Sequence, residues 1–371
     1  MEPIRVLNMF TIMDRGGAET MVMNYYRKID RSKVQFDFLV HRNERGAYDD
    51  EIEAMGGRIY RMIPIYPQNF SEYKKMLRKF FDEHNEYSII HSHMSELGYF
   101  AFKEAKKHDV PIRICHAHNA ACGFDLKMIM RTYFKKAMMP YITHLFTCGY
   151  EAGDWLYGKK NEERFIHLNN AIDVQRFVYN EEIRNKYRKK LNIEDKFVVG
   201  HVGRFNKQKN HERLISLFSH IYKQNNNAIL LLIGGGELEE SIHNLVKEYK
   251  LEDAVYFLGQ KSDVNNYMQA FDIFLFPSLF EGLPVTMIEA QSSGLQCFIS
   301  NVIPAQCIIS ENVETFSLDE SDEKIASDVL NKHQNFIRKD MSEIIRNKGF
   351  DVNKNAKELE EFYINEYNRS K

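Results

Sequence analysis

With 371 residues the chain is long enough for two domains of ordinary size. Hydrophobic residues make up 44% and charged residues 27%, so a large core is available, and a net charge of −2 argues against general nucleic-acid binding. Residues 1–168 carry a balance of +3 and the remainder −5, which places the mildly basic surface in the first half. The five cysteines (Cys115, Cys122, Cys148, Cys297 and Cys307) are odd in number and form no CxxC pair. That usage fits a reduced, cytoplasmic setting better than a disulfide framework. Met1 runs directly into RVLNMFT, leaving no room for a signal peptide, and no window approaches the roughly 18 apolar residues of a membrane span.

In chain order, the first half alternates extended and helical signals. Strands are expected at Arg5–Phe10, Gln35–Val40, Arg58–Met62, Ser88–Ser92, Pro111–His116 and His144–Cys148. Helical spacing falls between them at Ala18–Ile29, Tyr48–Met55, Tyr73–Glu83 and Leu97–His108. Repeated β-α order implies a parallel sheet covered on both faces. The polar run HLNNAIDVQRF, His167–Phe177, reads as a connector. Beyond it the same plan restarts, with strands at Phe197–Val202, Ala228–Ile233, Ala254–Leu258, Ile273–Phe276 and Gln296–Ser300. Helices His211–Tyr222 and Leu238–Tyr249 fall between them, and a last helix, Asn353–Tyr367, aligns Ala356, Leu359, Phe362, Tyr363 and Tyr367 on one face. The expected organisation is α/β: domains at 1–168 and 169–350, with 351–371 a helix returning to the first domain. Two doubly wound domains facing one another would frame a cleft, a usual place for ligands.

The stretch most informative about chemistry is FDIFLFPSLFEGLPVTMIEAQSSGLQ, Phe271–Gln296. A buried strand ends at Pro277-Ser278, Gly282-Leu283-Pro284 turns the chain, and a helix runs on from Val285 toward a stop at Gly294. Glu281 lies at the turn and Glu289 inside the helix, beside the unpaired amides of a helix start. Two carboxylates placed that way suit hydrogen bonds to different parts of one polar ligand better than a hydrolytic acid/base pair, which must face each other across a sugar. Gly203-Arg204, with Lys209 five residues on, follows the first strand of the second half. Arginine can fork onto a phosphate and lysine adds a point charge, so this loop suits a departing diphosphate, although a solvated basic turn fits the spacing equally well. Gly234-Gly235-Gly236 repeats a glycine turn after another strand, and Gly16-Gly17 does so near the N-terminus.

Histidines pair at two strand ends, His91 with His93 and His116 with His118. Residues two apart on a strand share a face, so a zinc site with Cys115 or Cys122 is the sharp alternative to packed histidines, one of them lining the cleft. The segment Lys127–Met139 sets Lys127, Arg131 and Lys135 at spacing four, with Met128, Met130, Tyr133, Phe134 and Met138 available for an apolar side. That is the pattern of a helix lying on an anionic membrane, or of an ordinary surface helix.

Taken together the motifs resemble the family 4 retaining glycosyltransferases of the GT-B fold over nearly the whole chain. EGLPVTMIE at Glu281–Glu289 matches the family's E-x7-E segment, and GRFNKQKN at Gly203–Asn210 its phosphate loop. RICHAHN at Arg113–Asn119 is similar to its histidine motif, Gly16-Gly17 to its N-terminal glycine pair, and NAID at Asn170–Asp173 to its connector. Ala171 stands where glycine is usual, and Gln296 where a GLP run is common. The resemblance implies retaining transfer of a hexose-type sugar from a nucleotide-sugar, a UDP-sugar, to a hydroxyl of a glycan or polyprenyl-linked acceptor. Arg204 and Lys209 would hold the diphosphate and Glu289 the ribose. Glu281 with the amides of Gly282 and Leu283 would hold the sugar, and His118 would touch donor and acceptor. Gly16, Gly17, Gly203 and Gly236 would line the donor. No cofactor or metal is expected, in keeping with the absence of a D-x-D motif. The region SNVIPAQ looks most like transferases of capsule, exopolysaccharide or O-antigen synthesis, working at the inner face of the plasma membrane. The rivals are a nucleotide-sugar epimerase or glycan phosphorylase of the same fold, a histidine metal hydrolase, and a sugar-nucleotide binding module.

Overall fold

A computed structural model describes residues 2–118 and 127–371 of the chain. Asn119 and Cys122 lie outside the described residues, as does the Lys127 side chain. The chain forms two compact units: residues 1–171 with 351–371, and residues 172–350.

The first unit is built on seven parallel strands: β1 (Ile4–Phe10), β2 (Val34–Val40), β3 (Ile59–Arg61), β4 (Ile89–Ser92), β5 (Ile112–Ala117), β6 (His144–Thr147) and β7 (Phe165–His167). Their order is β3-β2-β1-β4-β5-β6-β7. The chain therefore first winds outward from β1 and then restarts beside it with β4, so β1 and β4 mark the switch point at which the two crossover directions part. All seven residues of β2 are buried, as expected of a parallel strand covered on both faces. A buried carboxylate ties this part of the sheet together. Asp37 accepts from Arg5 Nε and Nη2 at 2.5 Å each, from the Arg58 amide at 2.7 Å and from the Tyr87 hydroxyl at 2.7 Å. Such a charge is tolerable inside only because its lone pairs are filled.

The helix Val352–Arg369 packs on the helix Gly17–Tyr26 and on β2. Asp351 caps it by accepting from the Asn353 amide. Val352, Ala356, Leu359 and Tyr363 are buried, whereas Phe362 is half-buried. Glu360, on the same side, accepts from the Asp30 amide at 2.9 Å and from Lys33 Nζ at 3.0 Å.

The second unit carries six parallel strands: β8 (Phe197–Val202), β9 (Ala228–Ile233), β10 (Val255–Phe257), β11 (Ile273–Phe276), β12 (Gln296–Ser300) and β13 (Val313–Phe316). Their order is β10-β9-β8-β11-β12-β13, so β8 and β11 flank the switch point. The run AILLLI of β9 is buried throughout and packs with Leu214, Leu217, Phe218 and Ile242 of the covering helices. Here too an aspartate anchors the sheet: the half-buried Asp272 pairs with Arg184 and Arg188 and accepts from the Val198 amide at 2.7 Å. At the far end of the unit the Ile172 amide donates to Phe350 O at 3.0 Å, so the segments by which the chain enters and leaves lie side by side. Among the described residues no helix is long and apolar enough to cross a membrane.

Candidate active site

In the second unit the loops after β8 and β11 meet, because those strands are neighbours at the switch point. Gly203 follows β8, and Lys207–Lys209 form a single 3-10 turn capped by Asn206, whose side chain accepts from the Lys209 amide. Asn210, in the left-handed region at φ 55°, turns the chain into the helix His211–Gln224 and donates through Nδ2 to Pro277 O at 3.0 Å. The Leu279 amide in turn donates to Gln208 O at 2.9 Å. These bonds fix the two loops to each other and bring Lys209 onto Glu281. Lys209 Nζ donates to Glu281 Oε1 at 2.7 Å, and Gln208 Nε2 donates to Oε2 at 3.0 Å. The pair is nearly enclosed, with the two side chains 14% and 5% exposed, and the ammonium sits 4.5 Å from the centre of the Phe276 ring. Arg204 is different: its side chain is 70% exposed and lies 3.4 Å from Glu237 at the end of the glycine loop.

The glycines after β9 have a steric reason. A Cβ on Gly234, at φ +149°, would lie 2.0 Å from Gly203 O, and one on Gly236 would lie 2.5 Å from Phe205 O. Only residues without side chains let the two loops pack backbone to backbone. Gly282 and Leu283 form the turn into the helix Val285–Ser292, which starts at Pro284 with no side-chain cap. One and a half turns along it, burial pushes the Glu289 carboxyl up to about 7 against the opposing pull of Arg176.

In the first unit four histidines gather at the C-terminal ends of β4 and β5, His91 and His116 within the strands and His93 and His118 just past them. His91 and His93 stack with ring centres 4.4 Å apart, and His116 and His118 at 4.2 Å. His91 Nδ1 lies 2.7 Å from the Tyr363 hydroxyl, and its Nε2 3.2 Å from His116 Nδ1. His93 Nδ1 lies 2.8 Å from His118 Nε2, and its Nε2 3.4 Å from Asn8 Oδ1. Burial lowers all four, His91 to about 3 and His118 to about 4, so the cluster is neutral near pH 7. Ligand nitrogens of His91, His93 and His116 fall within 4.8 Å of one another. Five of the six ring nitrogens of these three histidines, however, already lie within hydrogen-bond distance of another group, His116 Nε2 being the exception, so the cluster is accounted for as a hydrogen-bonded stack. Gly16 precedes the helix Gly17–Tyr26, its amide donating to Asp14 O at 2.9 Å.

Residues 15–176 match the family described as Glycosyltransferase Family 4, and residues 183–347 the one described as Glycosyl transferases group 1. EpsF of Bacillus subtilis, named as a glycosyltransferase, is 39% identical over 305 residues, covering 81% of this chain and 79% of that protein. The chain belongs to the family 4 glycosyltransferases. An Escherichia coli galactosyltransferase named for UDP-Gal and GlcNAc-diphosphoundecaprenol is 24% identical over 352 residues, covering 89% of each chain. The Anabaena protein HepE, solved with UDP and glucose, superposes with a TM-score of 0.81 at 16% identity, over 97% of this chain and 99% of that one. The family's two-domain GT-B fold is thus the fold of this glycosyltransferase.

Within the glycosyltransferase the structure brings together four of the residues singled out in the sequence: Gly203, Lys209, Glu281 and, through the loop bonds, Gly282. It keeps Arg204 outward on Glu237, and it joins Lys209 to Glu281 where separate partners, diphosphate and sugar, were expected for them. Gln208 and Asn206 were not foreseen, although the polar run NKQKN was a legible sign of a capped turn. His201 and His211 were also missed. They lie buried behind Gly203, ring centres 4.8 Å apart, and burial pushes them down to about 4 and about 2.

Proposed function

We propose that this glycosyltransferase moves a hexose-type sugar from a UDP-sugar, with retention of anomeric configuration, to a hydroxyl of a glycan or polyprenyl-linked acceptor in surface polysaccharide synthesis. The observation that carries the reading is the enclosed Lys209–Glu281 pair where the loops after β8 and β11 meet. An ammonium has three donors and a carboxylate about four acceptor positions. Lys209 therefore has donors left for a diphosphate oxygen while still holding Glu281, and Glu281 has lone pairs left for sugar hydroxyls while held by Lys209 and Gln208. The pair places a cation for the leaving group next to an acceptor for the sugar, and neither charge is stranded when the site is empty.

In this reading Arg204 swings from Glu237 onto the diphosphate, and Glu289 accepts from the ribose hydroxyls. The amides of Gly282 and Leu283 add donors at the sugar, and His118 in the first unit contacts donor sugar and acceptor. Gly16, Gly17, Gly203 and Gly236 allow backbone to approach the nucleotide-sugar closely. Lys209 and Arg204 supply the positive charge the departing diphosphate needs, so no metal or other cofactor is included. The UDP and the undecaprenyl-linked acceptor are taken from the names of the Escherichia coli relative and the Anabaena structure. Capsular synthesis has its support in a Staphylococcus aureus relative, named CapH for capsular polysaccharide biosynthesis, which is 25% identical over 97% of this chain.

The test is a melting-temperature panel of UDP-, GDP- and ADP-sugars, since a ligand that binds only the native state raises the transition. A UDP-sugar should give the largest rise, and Glu281→Ala or Lys209→Ala should lower transfer by more than about 100-fold, the scale of losing a charge-stabilising group. Wild-type turnover in either variant would sink the site assignment. Release of a free epimerised nucleotide-sugar, or a phosphate-dependent sugar-1-phosphate product, would sink the reaction.

A further inference from the structure

The histidine stack of the first unit has a direction, and it is set by groups that can act in only one sense. Asn8 lies on β1 directly opposite His91 of β4. Its Nδ2 donates to Val6 O at 3.4 Å. A carbonyl oxygen can only accept, so the amide is oriented with Nδ2 toward Val6 and Oδ1 toward His93; the reverse orientation would set oxygen against oxygen. Asn8 Oδ1, also an acceptor, lies 3.4 Å from His93 Nε2, which must then carry the proton. In a neutral ring the other nitrogen is bare, so His93 Nδ1 accepts, and its partner 2.8 Å away, His118 Nε2, donates. The chain of donors ends at His118 Nδ1, a buried nitrogen with no hydrogen-bond partner among the described residues. Phe10, stacked on His93 at 4.4 Å between ring centres, and His116, stacked on His118 at 4.2 Å, pack against the faces of both rings.

We propose that Asn8 and His93 are positioning residues that hold His118 in its Nε2–H tautomer, so that a bare Nδ1 lone pair is offered to a hydroxyl of the sugar substrate. The inference rests on the reading of His118 as a substrate-contacting group. It deepens that reading by naming the chemistry that fits there: a group that donates a hydrogen bond, a sugar hydroxyl, and not a carboxylate, phosphate or ring oxygen, each of which would set lone pair against lone pair. Neutrality at working pH, which burial enforces on both rings, keeps the lone pair available.

The test uses the full chain labelled with 15N-histidine, with long-range proton–nitrogen spectra at pH 7 and His118 assigned by comparison with His118→Ala. The expected result is a protonated Nε2 and a bare Nδ1 at His118. A protonated Nδ1 in the wild-type spectrum overturns the proposal outright, with no need for a variant that folds. Asn8→Leu, which removes the anchoring oxygen, should give mixed tautomers at His118 and lower kcat by about 10-fold, the lower end of what losing an orienting partner costs. An unchanged His118 spectrum in a folded Asn8→Leu variant also overturns it. The two layers separate cleanly. Lost turnover in His118→Ala with a protonated Nδ1 in the wild type removes this inference and leaves the site reading standing. Full turnover in His118→Ala removes the site reading itself, and the hydroxyl assignment with it.

Discussion

At Glu289 a carboxyl stands inside a helix with its proton held up to about 7 by burial. Near neutral pH the group is therefore divided between a form that can donate and a form that only accepts. Ribose hydroxyls are donors, so the ionised form binds them better, and donor affinity should tighten as pH rises from 6 to 8. Isothermal titration would show this, and in Glu289→Gln the slope should be flat. The sign for stability is the opposite. A carboxyl whose folded value is raised loses stability as pH climbs from the unfolded value of 4.5 to about 7, because the unfolded chain releases the proton first. Glu289→Gln should remove that loss, worth about 2–4 kcal/mol, and melt higher than the wild type at pH 8 while gaining little at pH 4. A wild-type-like melting temperature at pH 8 would show that the carboxyl is better hydrated than its burial implies. Lys209 and Glu281 illustrate what residue type alone cannot disclose. Their identities announce a cation and an anion near a strand end, but that they hold each other depends on β8 and β11 being neighbours, which is a property of the sheet order.

Among the elements, the helix Lys127–Met138 departs most from its sequence pattern. The spacing of Lys127, Arg131 and Lys135 fits either a basic stripe facing an anionic membrane or an ordinary surface helix. In the structure Arg131 turns to Glu96 at 3.4 Å, and Lys135 donates to Trp155 O at 2.8 Å with its ammonium 4.1 Å from the Trp155 ring centre. Phe134 and Met138 go to the core, while Ile129 and Tyr133, four residues apart, are 78% and 61% exposed. Period alone finds the stripes of a helix but cannot say which one meets the core. We propose that this apolar pair, with exposed Met130 and Lys136 beside it, is the part that touches an anionic membrane. Replacing both residues, Ile129→Asp with Tyr133→Asp, should reduce retention on vesicles containing anionic lipid by at least about tenfold, since each buried side chain is worth about 1.5–3 kcal/mol. Unchanged sedimentation with the vesicles would rule the face out.

The strands show the same division between what was readable and what was not. Central strands such as β8, β9 and β11 match their expected bounds to the residue because both faces are covered and the runs carry few polar residues, none in β9 and β11 and only His201 in β8. The short strands β7, FIH, and β13, VETF, have no counterpart among the expected strands, and only His167 of the first falls within the expected connector His167–Phe177. Runs of three or four residues that include polar ones leave little signal, whereas the other two edge strands, β3 and β10, fall within the expected Arg58–Met62 and Ala254–Leu258. The candidate site was legible where it is carried by local motifs, Gly203–Lys209 and Glu281–Glu289. It is not legible in the contacts between distant elements that join Asn8 to His93 and Tyr363 to His91.

For the molecule as a whole, the division into units predicts how it unfolds. Residues 351–371 belong with the first unit although they follow the second in the chain. Removing them would strip Leu359 and Tyr363 from that core, leave the Asp30 amide without Glu360, and take the hydroxyl from His91. At about 1.5–3 kcal/mol for each large side chain lost, a chain ending at Phe350 should lose several kcal/mol from the first unit and almost nothing from the second. Calorimetry should then show one transition moved well down and the other where it was. Equal displacement of both would mean the units do not unfold separately.

The hydrogen bond from the Ile172 amide to Phe350 O gives the second unit a doorway of one strand's width. A segment that begins and finishes at the same spot can be exchanged through two neighbouring joints without rethreading the host. If the second unit holds the donor as proposed, a laboratory chimaera joined at 171/172 and 350/351 inherits its donor preference from the transplanted piece, and an unchanged preference would refute that placement.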